Sequence, residues 1–230
     1  MATGFFHHIG TFLLLAATVL LIVTCISAPV VHDIGLLKVD LDDSRVNHRT
    51  VAFGTFGYCI NDPNQPDDCS PSRVGYSPAA VMNIVDGTEF SDYSEDTTRA
   101  LTRAMVLHPI ACGLNFIAFL LALGAGVVGS LLASLVALLA FLVTAVALII
   151  DFVMFSIIRN NVNDNISNAH AYFGEAAWTT LVAAICSLVA TVVVFLTCCS
   201  ARLHKRRNRG AVPAHKAEYV EPPRRRRRFF

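Results

Sequence analysis

The chain has 230 residues, of which 54% are hydrophobic and only 15% are charged. Soluble domains carry about 25% charged residues, so this composition excludes an ordinary soluble protein. A set of membrane helices would use most of the length. The remainder is too short for a soluble enzyme domain of ordinary size.

Four apolar segments are each long enough to cross a bilayer as a helix, which takes about 20 residues. They are 9–31, 104–124, 131–157 and 176–199. Inside a bilayer every backbone polar group must be satisfied within its own helix. We therefore expect an all-α membrane fold, a bundle of four transmembrane helices. The first segment is too long for the apolar region of a signal peptide, so we expect it to be retained.

The charges are distributed very unevenly along the chain. Of 18 lysines and arginines, 11 lie in 200–230, whereas 32–103 carries 12 acidic and 6 basic residues. The positive-inside rule therefore places the C-terminus in the cytosol. With four spans, residues 1–8 and the turn 125–130 are also cytosolic, and 32–103 and 158–175 face outward.

The long outward segment has the pattern of a small sheet. Residues 37–41 alternate apolar and polar, and 50–59 are rich in β-branched and aromatic residues. A third short strand is expected near 73–76. Cys59 and Cys69 lie in this segment, and in an oxidising compartment they most simply form one disulfide. We expect an antiparallel β domain stapled by that disulfide.

Two kinds of covalent modification are predicted outside the sheet. Asn165 begins the N-glycosylation sequon Asn-Ile-Ser, and it lies in the second outward loop. Cys198 and Cys199 stand beside basic residues at the inner end of the last span, which is typical of palmitoylation.

The segment 200–230 shows no helical or strand period and is predicted to be a disordered basic tail. It would bind anionic lipids of the inner leaflet, bind an acidic protein partner, or simply fix the topology. Its basic residues form two clusters, Arg202, Lys205, Arg206, Arg207 and Arg209, and then Arg224, Arg225, Arg226, Arg227 and Arg228.

The sequence has no recognisable catalytic, cofactor-binding or metal-binding set. Asp151 and His108 are the ionisable residues well inside the spans. We interpret Asp151 as an outer-interface residue that is solvated or paired with Arg159, because a channel or transporter needs more lining polar groups. His32 and His48 are interpreted as exposed histidines without a switching role.

Four stretches together resemble one family. They are the opening 8–17, the segment 27–30 with Ser-Ala-Pro-Val, the segment 35–37 with Gly-Leu-Leu, and the motif Phe-Gly-Thr-Phe-Gly-Tyr-Cys at 53–59, which is followed by Cys69. They resemble the fungal PalI family of pH-response regulators, within the SUR-type/PalI superfamily. The glycine-aromatic-cysteine motif is also similar to the claudin-like four-span class, in which two cysteines bridge neighbouring strands.

The resemblance implies a non-enzymatic accessory of ambient-pH signalling in the plasma membrane. Such a protein assists a seven-span, PalH-like pH receptor, upstream of proteolytic activation of a PacC-type transcription factor. The expected partners are that receptor, anionic inner-leaflet lipids and other copies of the chain in a homo-oligomer, with no nucleic acid. The alternative is a structural organiser of plasma-membrane or cell-cortex domains, as other members of the superfamily are.

Overall fold

The computed structural model describes residues 2–43, 46–87, 91–124, 127–165 and 169–210. Its helices are α1 (Ala2–Cys25), α2 (Pro78–Asp86), α3 (Asp92–Arg103), α4 (Leu107–Leu123), α5 (Val127–Asn165) and α6 (Glu175–Gly210). Its strands are β1 (Leu37–Asp43), β2 (Val46–Phe53), β3 (Tyr58–Asn61), β4 (Asp68–Cys69) and β5 (Ala169–Phe173).

Four helices are long and apolar enough to cross a membrane, as the sequence predicts. α1 packs against α4 and α6, and α5 packs against the same two helices, which closes a four-helix bundle. Small residues fill the middle of the bundle, among them Ala17, Ala118, Ala137 and Ala190. They let the backbones approach closely, while many of the larger apolar side chains are exposed on the outside of the bundle, as they would be in lipid.

The strands form one antiparallel sheet in the order β4-β3-β2-β1-β5. We refer to this sheet with α2 and α3 as the sheet domain. β1 comes from the first loop and β5 from the second, so the pairing of Val39 with Ala171 joins the two loops at one end of the bundle. The first and last residues of the described chain lie at the other end.

The sheet packs one face onto the protruding end of a bundle helix. Along β1, Leu37, Val39 and Leu41 are buried while the residues between them are partly exposed, which is the period-two pattern expected from the sequence. At about 1.5 Å per residue, the 39 residues of α5 extend well beyond a bilayer core of about 30 Å. Met154 and Phe155 on this helix join the same apolar core as the strand residues.

Several expected boundaries are corrected by the structure. The apolar, strand-like stretch 50–59 is two strands, because a turn at 54–57 reverses the chain between β2 and β3. No strand forms at 73–76, and the short strand that pairs with β3 is Asp68–Cys69. α1 ends at Cys25, earlier than the expected 31.

The second loop and the tail also differ from expectation. Most of 158–175 continues α5 or forms β5, so little of it is irregular loop. α6 continues to Gly210, so 200–210 is helical where an irregular tail was expected. The helix persists because this stretch contains Leu, Lys and Arg, which are good helix formers, and no proline.

Candidate functional site

The disulfide predicted from the sequence is confirmed. Cys59 on β3 and Cys69 on β4 are directly opposed in the sheet and are bonded to each other. Closing a loop with a sequence separation of 10 residues stabilises the folded chain by about 2.5–3 kcal/mol in the chain-entropy picture. The bond compensates for a two-residue edge strand that could not hold its place through two backbone pairs alone.

His32 lies beside this disulfide, within 4.8 Å of the two sulfur atoms. Zinc and similar metals bind thiolates, and both sulfurs are committed to the disulfide, so the cluster is not a thiolate metal site in this state. The His32 ring instead contacts Asp67, with 3.0 Å between Nδ1 and Oδ2, and both side chains are substantially exposed.

The turn between β2 and β3 fastens the sheet to the end of α1. The backbone N–H of Thr55 donates to Ser27 Oγ at 3.0 Å, and the Thr55 hydroxyl donates to the Thr24 carbonyl at 2.8 Å. Thr24 Oγ1 in turn lies 3.1 Å from the Thr180 hydroxyl of α6. The turn, the first helix and the last helix are therefore linked through a buried network of hydrogen bonds that meet at the carbonyl and hydroxyl groups of Thr24.

The glycines of the same turn allow this close contact. A Cβ on Gly54 would overlap the backbone of Ala28, and one on Gly57 would meet Ser70 Oγ and the ring of Pro29. Both glycines belong to the motif on which the family resemblance rests. The motif is thus a docking turn that seats the sheet domain on the bundle.

A tyrosine connects this turn to the helices beneath the sheet. The Tyr76 hydroxyl donates to the Gly54 carbonyl at 2.7 Å, and the Tyr76 carbonyl accepts from the Thr102 hydroxyl of α3 at 2.6 Å. Burial, with a further contribution from the charge of Asp151, raises the pKa of Tyr76 far above its usual range. Tyr76 therefore stays neutral and acts as a hydrogen-bond donor at every physiological pH.

Directly below lies a pair of ionisable side chains buried between two spans. His108 of α4 is fully buried and Asp151 of α5 is 1% exposed. His108 Nε2 is 2.9 Å from Asp151 Oδ2, and His108 Nδ1 is 3.1 Å from the carbonyl oxygen of Met105. The expectation that Asp151 is solvated or paired with Arg159 is therefore wrong. The Arg159 guanidinium lies 5.8 Å from the ring centre of Phe173 instead.

The sequence contains a signal for this pair that is visible only when the two spans are compared. His108 lies four residues inside the outer boundary of the predicted span 104–124, and Asp151 lies six residues inside that of 131–157. At about 1.5 Å per residue, both side chains have similar depth on adjacent antiparallel helices. An acid and a histidine at similar depth in apolar surroundings should pair, because an unpaired charge there is costly.

A second polar cluster lies deeper in the bundle and has a structural role. Ser187 of α6 donates to Asn115 Oδ1 at 2.9 Å, and Asn115 Nδ2 is 3.5 Å from Thr144 Oγ1 of α5. All three side chains are buried. Such hydrogen bonds between membrane helices contribute about 0.6 kcal/mol each on average, so the cluster sets helix register more than stability.

The other predicted sites are placed as follows. Cys198 is buried and Cys199 is partly exposed, so only Cys199 offers its sulfur to an acyl donor without rearrangement. Asn165 is the last residue of α5, and the rest of its sequon lies outside the described residues. The residues 202–209 belong to the last turns of α6, and Arg224–Arg228 fall outside the part of the chain that the structure describes.

The fold and this arrangement define a class, the four-span membrane proteins that carry a disulfide-stapled sheet at one end of the bundle. The SUR7/PalI family matches residues 6–190, which include the first three spans, the whole sheet domain and the first part of the fourth span. The chain belongs to the SUR7/PalI family.

Curated relatives of this chain are fungal proteins. It is 28% identical over 150 residues to the pH-response regulator protein palI/RIM9 of Pyricularia oryzae. This match covers 62% of this chain and 19% of that protein. It is 34% identical over 117 residues to palI/RIM9 of Emericella nidulans, and that match covers 50% of this chain and 18% of the relative. For palI/prr-5 of Neurospora crassa the identity is 32% over 111 residues, with 48% and 14% covered. The chain thus matches less than a fifth of the length of these relatives.

Proposed function

We propose that this protein is a non-enzymatic accessory of ambient-pH signalling in the plasma membrane. The observation that carries the proposal is the family match over 6–190, together with relatives that are named pH-response regulators. The accessory assists a seven-span, PalH-like receptor, upstream of proteolytic activation of a PacC-type transcription factor.

The architecture suits binding in the plane of the membrane. The outer faces of the spans are lined with exposed apolar side chains such as Leu135, Ile149 and Ile185, which contact either lipid or another protein's helices. The sheet domain is tied to three of the spans, so a partner held against the bundle also meets a fixed outer surface. In this proposal the spans bind the receptor's helices and the sheet domain contacts its outer face.

The orientation in the proposal follows from charge and redox chemistry. Eleven of the 18 basic residues lie in 200–230, after the last span, which favours cytosolic termini. The Cys59–Cys69 disulfide favours an oxidising, outward environment for the sheet domain. The basic cluster in 202–209 then binds anionic lipids, Cys199 is the better acylation site, and Asn165 is the glycosylation site.

The second candidate is a structural organiser of plasma-membrane or cell-cortex domains, which would act through self-association. The observation in its favour is that the matched family description names SUR7 beside PalI. The exposed apolar faces of the spans would serve self-association equally well.

Imaging of the receptor and of cortical membrane domains in cells that lack this protein separates the two candidates. The accessory role predicts a receptor that fails to reach or remain at the plasma membrane, with unchanged cortical domains. Restoring the wild-type chain should return the receptor to the surface. A normally placed receptor with altered cortical domains would favour the organiser.

A further inference from the structure

His108 and Asp151 form an ionisable pair that no part of the proposed binding role uses. Each comes from a different span, both are buried, and their nearest side-chain atoms are 2.9 Å apart. Met105, Met154 and Phe155 belong to the apolar core shared with the sheet. The pair therefore lies at the junction between the bundle and the sheet domain.

The hydrogen bonds around His108 determine how many protons the pair holds. The Met105 carbonyl can only accept, so Nδ1, at 3.1 Å from it, must carry a hydrogen. Nε2 then faces Asp151 Oδ2 at 2.9 Å, and this contact needs one proton between the two atoms. The proton belongs either to an imidazolium beside a carboxylate or to a carboxylic acid beside a neutral imidazole. In both descriptions the pair as a whole is neutral.

Loss of that proton would leave a lone pair of Nε2 facing a carboxylate inside the protein. The other oxygen of Asp151, Oδ1, is buried and has no hydrogen-bond partner among the described residues. A buried, unpaired negative charge is strongly unfavourable. The deprotonated pair is thus incompatible with the closed packing of α4 against α5.

The surrounding groups do not supply a substitute for the proton. Tyr76 interacts electrostatically with Asp151, but its hydroxyl donates to the Gly54 carbonyl. On α6, Glu175 pairs with Lys38 of the sheet at 2.8 Å, and on α5 Arg159 lies over Phe173. The other ionisable side chains on the helices at this end of the bundle include Cys25, the last residue of α1, Arg103, the last residue of α3, and Cys112 on α4.

We propose that His108 and Asp151 form a proton-binding site. While the two residues share one proton, they hold α4 against α5 beneath the sheet domain, and loss of the proton in alkaline conditions releases this contact. The inference deepens the proposed role in pH response and rests on it for its biological meaning. The chemistry itself is a property of the isolated protein.

The sign of the pH dependence follows from proton counting. In an opened or unfolded chain, a free histidine loses its proton near pH 6.5 and a free aspartate near pH 3.9. Between these values the open pair also holds one proton, so the free-energy difference between the closed and open states does not change with pH. Above about pH 6.5 the open state binds less proton than the closed state, so the closed state is destabilised as pH rises. The open-to-closed ratio then rises by up to about tenfold per pH unit.

The test uses the full chain, purified and placed in lipid nanodiscs, with thermal unfolding followed from about pH 5 to about pH 9. The wild type should lose stability progressively above about pH 6.5. Asp151→Asn replaces the shared proton by a fixed amide hydrogen, so it should flatten this part of the profile. His32→Gln is the matched control, because it removes an exposed histidine–aspartate contact at a nearly equal distance of 3.0 Å. It should leave the alkaline loss unchanged.

A flat wild-type profile, or an equal alkaline loss in Asp151→Asn, would overturn the proton site. If Asp151→Asn fails to fold, nitrogen NMR of ring-labelled histidine in the wild type decides, with His108→Gln used to assign the signal. The proposal requires that the His108 ring keeps its Nδ1 hydrogen and that the pair loses its shared proton only together with opening. A ring that titrates freely in the closed protein refutes it. None of these results depends on the receptor, so they can fail while the cellular role stands.

Discussion

Gly54→Ala tests whether the turn between β2 and β3 is a docking element on the end of α1. The added Cβ would lie 2.6 Å from the Ala28 nitrogen and 2.8 Å from its carbonyl carbon, where real Cβ contacts are essentially never below 3.0 Å. The neighbouring atoms are backbone, so no side chain can rotate away. The turn must therefore move off the helix end.

The expected loss can be estimated from what that movement breaks. Overpacking of this kind costs about 1–3 kcal/mol. Displacing the turn also strains the bonds from Thr55 to Ser27 and Thr24 and from Tyr76 to Gly54, at about 1 kcal/mol each. The total of about 4–6 kcal/mol is a large part of a typical folding free energy of about 5–15 kcal/mol.

Chemical unfolding of the purified protein in detergent measures this loss, with Gly113→Ala as the matched control. Gly113 lies on α4, and a Cβ there would meet nothing within 4 Å. The same chemical change should therefore leave stability unchanged or slightly raised, since alanine favours helix. Equal stability of the two variants would refute the docking role of the turn.

Three further variants test other parts of the account. Cys59→Ser should lower the free energy of unfolding by about 2.5–3 kcal/mol and retain the protein in the endoplasmic reticulum. The control Cys186→Ser, which changes a free cysteine, should do neither. Normal surface delivery of Cys59→Ser would count against the staple. Asn165→Gln should abolish an endoglycosidase-sensitive shift on gels, and a wild type without such a shift would show an unused sequon. Neutralising the basic cluster of α6 should weaken binding to anionic vesicles by about 1 kcal/mol for each residue near the surface. Unchanged binding would mean that the cluster serves only to set the membrane topology. The residues to be changed together are Arg202, Lys205, Arg206, Arg207 and Arg209.

Much of the fold can be predicted from the sequence because the bilayer imposes a simple pattern. Four long apolar segments predict four spanning helices, and two cysteines in one outward segment predict one disulfide. The alternation along 37–41 likewise predicts β1. Each of these depends only on local composition or spacing.

The remaining features depend on residues far apart in the chain. β5 has only five residues, Ala169–Phe173, and it is a strand because it pairs with β1 more than a hundred positions earlier. The pairing of His108 with Asp151 likewise depends on which helices are neighbours and at what depth. A single acid in a span is read as an interface residue until its partner on another helix is considered.

The helical part of 200–210 was missed for a different reason. Its charged residues suppress the apolar pattern, although arginine, lysine and leucine are good helix formers. Once α6 has formed its apolar span, each further residue adds one hydrogen bond without a new nucleation cost. The helix therefore runs past the membrane segment.

The most direct test of the central claim is proteolytic processing of the PacC-type transcription factor after a shift to alkaline medium, compared in cells with and without this protein. The account predicts that processing is lost or strongly delayed without the protein and returns with the wild-type chain. Normal processing in its absence would contradict a role in pH signalling.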